Sequence, residues 1–162
     1  MFSVSDASAQ QAFSTGPAIE DFGPVADIPG AQALSADTRL RVVFDTAMPA
    51  ENGELNRTLV SAARFLNMHA RAGLDPENIE LAIVVHGRAV RDVADVDGGQ
   101  SGINEALIAA LTGHGVEIFV CGQSAAHYGV EAENLLPGVT LSLSAMTAHA
   151  LLQQDGYTLN PF

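Results

Sequence analysis

The sequence predicts an α/β domain in which a mainly parallel sheet is covered by helices on both faces. Three observations carry that prediction. From Arg39 onward, short β-branched runs alternate with stretches of helical periodicity. One of those runs, Ile79 to Val85, is almost wholly apolar, as a strand covered on both sides must be. The chain has 162 residues, and one domain of that size buries about 68–70% of its unfolded surface without needing a disulfide or a structural metal. Trp is absent, so the core must come from Ala, Val, Leu, Ile and a few Phe.

The elements follow in order. Leu40 to Phe44 reads as the first strand, and residues 45–53, with Pro49, Asn52 and Gly53, as a loop. Leu55, Leu59, Ala62, Ala63, Leu66 and Ala70 then share one helical face that ends at Gly73. Ile79 to Val85 is the second strand, followed by a loop carrying Asp95, Asp97, Gly98 and Gly99. Asn104 to Leu111 is the next helix, closed by Gly113 and Gly115. Val116 to Val120 is a third strand that leads into Cys121, and Ser124 to Tyr128 is a short helix capped by Gly129. After a Pro137-Gly138 turn, Val139, Leu141 and Leu143 alternate as a fourth strand. Ala145, Ala148, His149 and Leu152 mark a last helix, stopped by Gly156.

Residues 1–37 differ from the domain at 38–162. They carry Pro17, Pro24 and Pro29 and no sustained periodicity, yet Phe13, Ile19, Phe22, Val25 and Ile28 recur every few residues. Such a segment reads as an extended arm that docks on its own domain or on a neighbouring subunit. Ala7-Ser8-Ala9 before Gln10 resembles a signal-peptidase site, although neither a basic nor an apolar region precedes it. On that ground export to the periplasm is favoured over a cytoplasmic location.

Seven Lys and Arg against nineteen Asp and Glu give a formal charge of −12. Nucleic acids and anionic membranes require clustered basic charge, and no basic run exists, so neither is an expected partner. No apolar stretch approaches the roughly 20 residues of a membrane span.

Ligands of open α/β sheets bind outside the carboxyl ends of the strands. Three such ends carry polar or reactive side chains: Asp45-Thr46, His86-Gly87 and Cys121-Gly122. Cys121 is the single cysteine. A helix starting at Gly122 to Ser124 would turn free N–H groups and its positive dipole end towards the sulfur, which favours thiolate. Gly122 lets the backbone turn tightly and leaves the sulfur uncovered. The alternative is a small buried hydrophobe, a common fate of free Cys. His86 could donate a proton, bind a ligand or partner the thiolate, against the alternative of a structural histidine. His149 falls on the inner face of the last helix and reads as a satisfied core residue. His127 lies six positions after Cys121, too far along its helix to meet the sulfur; His69 and His114 read as surface residues near helix ends.

Other motifs fail. Gly122-Gln123-Ser124-Ala125-Ala126 lacks the second glycine of a nucleophile elbow. Gly98-Gly99-Gln100-Ser101-Gly102 has no Lys and is neither a P-loop nor a dinucleotide fingerprint. Asp95 and Asp97 resemble the opening of a calcium loop, but no Glu closes it. No His, Cys and carboxylate cluster has zinc spacing, so no metal and no cofactor is expected.

Ile83-Val84-Val85-His86-Gly87, then Gly115 to Ser124, Leu136-Pro137-Gly138-Val139 and the closing Gly156-Tyr157 with Pro161-Phe162 together resemble the DsrE/DsrF-like family with the YchN-type fold. The resemblance covers about residues 39–162. It implies a three-layer α/β/α domain with a mainly parallel sheet of about five strands, assembling as a homo-oligomer, a trimer or hexamer. In sulfur-relay members a cysteine at this strand–helix junction carries sulfur as a persulfide, and Cys121 stands at the matching position. His86 matches the family's histidine-glycine element without a defined role. Asp45, Gly87, Gly122, Gln123 and Ser124, around the same strand ends, are the expected substrate-binding residues.

The expectation is therefore a sulfur carrier or sulfurtransferase-like protein, with a donor or acceptor protein or a small thiol as partner. A different class is a non-enzymatic oligomeric protein that binds a small ligand and in which Cys121 only packs. A third reading, a sensor oxidised to sulfenic acid, is weakened because the chain holds no second cysteine to resolve it.

Overall fold

The computed structural model describes residues 12–162. Ala7-Ser8-Ala9 and the processing site read there lie outside the described residues. The secondary elements are β1 (Leu40–Thr46), α1 (Arg57–Arg71), β2 (Ile79–Val85), α2 (Ser101–Gly113), β3 (Glu117–Cys121), α3 (Gly122–Tyr128), β4 (Val139–Ser142), α4 (Ala145–Gln154) and β5 (Thr158–Asn160). Short 3₁₀ turns cover Pro76–Asn78, Gly87–Asp92 and Ala132–Asn134.

The five strands form one sheet in the order β4-β3-β2-β1-β5, and every pairing is parallel. This is the α/β architecture expected, with its fifth strand supplied by residues 158–160. The order explains which helix lies where. From β1 to β4 each crossover steps in the same direction, and right-handed crossovers then keep their helices on one face. The connection from β4 to β5 runs back across three strands, so α4 falls on the opposite face.

Two cores reflect this division. On one face Val42, Phe44, Leu81, Ile83, Val85, Ile118 and Val120 pack against Leu59, Ala63 and Leu66 of α1 and Leu107, Ile108 and Leu111 of α2. On the other, Val43, Ala82, Val84 and Phe119 pack against Ala145, Ala148 and Leu152 of α4 and against Tyr157. Strand side chains alternate between faces. β2 serves both cores, which is why its sequence is nearly all apolar.

α1 begins at Asn56, whose side-chain oxygen accepts from the N–H of Thr58 and Leu59. The buried Asn56 amide also donates to Asp92 Oδ2 at 2.8 Å, tying the α1 start to the 3₁₀ turn after β2. Among residues 12–39 the chain forms one isolated antiparallel bridge, Ser14 with Val25. That segment lies against α1 of the same chain. Asn67, fully buried, accepts from Ile19 N–H at 2.7 Å and donates to the carbonyls of Ile19, Phe22 and Gly23. Arg71 donates to the carbonyls of Ser14, Thr15, Gly16 and Val25. Gly23 is required for this approach: at φ +68°, a Cβ there would stand 2.5 Å from the Arg64 nitrogen. Ile19 and Val25 are buried, whereas Phe13 and Ile28 are exposed.

Candidate functional site

The carboxyl ends of β1, β2 and β3 bring the predicted residues to one edge. β1 and β2 pair in register up to Thr46 and Val85, and β2 and β3 up to Val85 and Val120. His86 and Cys121 directly follow the last pair of that second ladder. Val43, Val84 and Phe119 belong to the core under α4, so two residues further along each strand Asp45, His86 and Cys121 turn to that same face.

Cys121 is the last residue of β3 and the N-cap of α3, and it is 6% exposed. Its Sγ accepts from Ser124 N–H at 3.5 Å. Burial pushes the thiol up, but hydrogen bonds from the Ser124 hydroxyl and from the backbone N–H groups of Ser124, Ala145 and Gln123 more than offset it, and the thiol lies below its ordinary value. Ala145 is the first residue of α4. The hydrogen bond on the sulfur thus comes from the first turn of α3.

The surrounding residues support this arrangement. Ser124 Oγ accepts from Gly87 N–H at 2.9 Å, which ties the start of α3 to the turn after β2. Gly122 permits the link between β4 and α4 to cross close by: a Cβ there would lie 2.6 Å from the Ser142 carbonyl oxygen. Gln123 is exposed, and its amide donates to the Leu143 carbonyl at 3.2 Å. It braces the same link with its side chain and meets the sulfur through its backbone alone.

Asp45 is joined to His86, whose Nε2 lies 2.9 Å from Oδ2. The second oxygen, Oδ1, meets His149 Nε2 at 2.7 Å. Burial pushes the carboxyl up, yet the hydrogen bonds from His149 and His86, with their charges, hold it below the ordinary carboxylate value. An ionised carboxylate only accepts, so both Nε2 atoms donate. His149 thus does have a polar partner, and that partner is a candidate site residue. Its position on the inner face of α4 was legible; the reach to Asp45 was not. The backbone of Ala145 is likewise missing from the sequence reading, because no side chain announces an N–H donor. His127 packs edge-on to Tyr128.

Beside Asp45, where the strand order reverses between β1 and β5, an open hollow of about 750 Å³ is lined by residues including Thr46, Met48, Leu55, Arg57 and Phe162. Cys121 is not part of its lining. Among the described residues no group of three or more His, Cys, Asp and Glu side chains is arranged to hold a metal ion. The site thus sets a thiol held below its ordinary value on the same sheet edge as two imidazoles joined to one carboxylate.

The DsrE/DsrF-like family model matches residues 40–161. The chain belongs to the DsrE/DsrF-like family. Residues before 40 fall outside the match. Among solved structures, the protein of unknown function MTH1491 from Methanobacterium thermoautotrophicum is similar in fold. It shares 18% identity with a TM-score of 0.55, the match covering 77% of this chain and 99% of that one. At that identity the likeness establishes the fold alone. No curated protein shows a significant match. Membership of the DsrE/DsrF-like family points to a function related to sulfur relay.

Proposed function

We propose that this DsrE/DsrF-like protein is a sulfur carrier that holds sulfane sulfur as a persulfide on Cys121. The observation that carries the reading is the place of Cys121 at the β3–α3 junction, where Sγ accepts from Ser124 N–H at 3.5 Å and the thiol is held below its ordinary value although burial opposes it. A thiolate is the attacking species in thiol–disulfide and persulfide exchange. In the step proposed, the Cys121 thiolate attacks the outer sulfur of a donor R–S–SH. The donor's S–S bond breaks, an S–S bond forms on Cys121, and R–S⁻ departs. Gly87, Gly122, Gln123 and Ser124 shape the approach to the sulfur, and the donor and acceptor are thiol-bearing molecules or proteins.

The same reading includes assembly of the chain with itself. Edge strand β4 and the adjoining start of α4 expose Leu141, Leu143 and Met146, an apolar strip beside the Cys121 end of the sheet.

Incubation with polysulfide followed by intact-mass measurement tests the carrier reading. The native protein is expected to gain sulfur on Cys121, and Cys121→Ala none. No gain in native protein, while the denatured chain reacts, overturns it. The small exposure of Cys121 favours a second reading, a ligand-binding oligomer in which the cysteine only packs. Under that reading Cys121→Ala keeps full function.

A further inference from the structure

A carrier that used Cys121 alone would have no need of Asp45 and the two imidazoles it holds. We propose that Asp45 is a positioning residue: it fixes His86 as the group that exchanges a proton with the sulfur leaving or approaching Cys121. This rests on the carrier reading of the same site.

Both oxygens of Asp45 are engaged, Oδ2 by His86 Nε2 at 2.9 Å and Oδ1 by His149 Nε2 at 2.7 Å. With Nε2 committed to the carboxylate, proton exchange by the His86 ring is confined to Nδ1. Among the described residues no hydrogen bond engages that nitrogen, and the side chain is 31% exposed. The β2–β3 ladder ends at Val85 and Val120, and the residues that follow, His86 and Cys121, leave adjacent strands spaced about 4.8 Å apart. Both side chains turn to the α4 face. Neither imidazole hydrogen-bonds to Sγ among the described residues, and the sulfur already has its own donors. The role left for His86 is to serve a second sulfur.

His149 differs. Its Nδ1 is buried without a hydrogen-bond partner, cut off from proton exchange with solvent. It supports Asp45 from the opposite layer. The other charged groups near Asp45 are Glu51, Glu54 and Arg57, across the hollow.

The steps balance. As R–S⁻ leaves the donor, it takes the Nδ1 proton of protonated His86 and departs as R–SH, while the neutral ring keeps its Nε2 proton on Asp45. In the return step Nδ1 takes the proton of an acceptor R′–SH, and the thiolate so formed removes the outer sulfur from Cys121. Overall R–S–SH and R′–SH become R–SH and R′–S–SH, with no other oxidant or reductant.

The test compares two disulfides as probes of Cys121 in the full chain. Glutathione disulfide expels an alkyl thiolate that benefits from protonation. 5,5′-Dithiobis(2-nitrobenzoate) expels an aryl thiolate that leaves readily without it. Asp45→Asn and His86→Gln are each expected to slow the glutathione reaction about tenfold or more, while the aryl reaction stays within about twofold of the unmodified protein. The unchanged aryl rate doubles as the control for folding and access. Equal slowing of both probes, or slowing of neither, in either variant overturns the proposal. The carrier reading is judged separately: if the two variants show the probe selectivity but unmodified protein gains no sulfur from polysulfide, sulfur carriage fails and the role of Asp45 in thiol exchange stands.

Discussion

His149 Nε2 and Asp45 Oδ1 lie 2.7 Å apart although 104 positions separate them in sequence. The contact exists because the connection from β4 to β5 carries α4 across the sheet and sets it over the carboxyl ends of β1 and β2. Ala145 stands four residues, about one turn, before His149 and packs with Phe119 of β3, the strand that ends at Cys121. One helix thus spans the strands that carry the carboxylate and the thiol.

That linkage predicts an acid dependence of stability. The Asp45 carboxyl is held below its ordinary value in the folded protein. Its contribution is therefore present above the unfolded value of about 3.9 and is lost as pH falls through the folded one. Urea unfolding across this acid range should show the unmodified protein losing stability more steeply than Asp45→Asn. Equal slopes would mean that the two histidines contribute nothing through Asp45.

Gly122→Ala should disturb stability and thiol together. Its Cβ would meet the Ser142 carbonyl at 2.6 Å, a backbone atom that moves only if the link from β4 to α4 moves. The expected cost is about 1–3 kcal/mol. As the first turn of α3 shifts and the Ser124 N–H bond to the sulfur lengthens, the alkylation profile of Cys121 should shift to higher pH. Urea unfolding and alkylation kinetics check the two halves independently.

Asn67→Ala should loosen the segment at residues 14–25. Four hydrogen bonds to Ile19, Phe22 and Gly23 would be lost, leaving buried backbone groups without partners. Roughly 1–3 kcal/mol of stability should go with them, and limited proteolysis should cut within this segment before the domain. Cleavage at the same rate as in the unmodified protein would contradict the clamp.

Leu143 is 73% exposed and Met146 80% exposed at the β4 edge. If these residues form the proposed self-association surface, Leu143→Asp should reduce the sedimentation coefficient towards that of the monomer without changing the circular dichroism spectrum. An unchanged coefficient would remove this face from the assembly.

Much of this arrangement was legible in the sequence, for reasons that particular elements show. β2 was read to the residue because an apolar run covered on both faces has sharp ends. Cys121 was legible as a strand end before a helix because Val116 to Val120 is β-branched and apolar and Gly122 follows. β5, by contrast, has three residues and no apolar run of its own, and it exists through pairing with Val42 to Phe44. The 3₁₀ turn Gly87–Asp92 buries Ala89 and Val90, in a stretch too short to display a period. Asn67 gave one signal, a polar residue beside the apolar stripe of α1, but its partners lie more than forty positions upstream. The union of Asp45, His86 and His149 depends on strand order, which spacing along the chain does not encode.

Sulfur carriage depends on the state of the Cys121 thiol. The most direct measurement is its rate of alkylation by iodoacetamide in the native protein as a function of pH. The hydrogen bond from Ser124 N–H and the lowered thiol predict a reactive thiol whose profile has its midpoint below that of the unfolded chain. A midpoint at or above that value, or a native thiol that does not react at all, would contradict it.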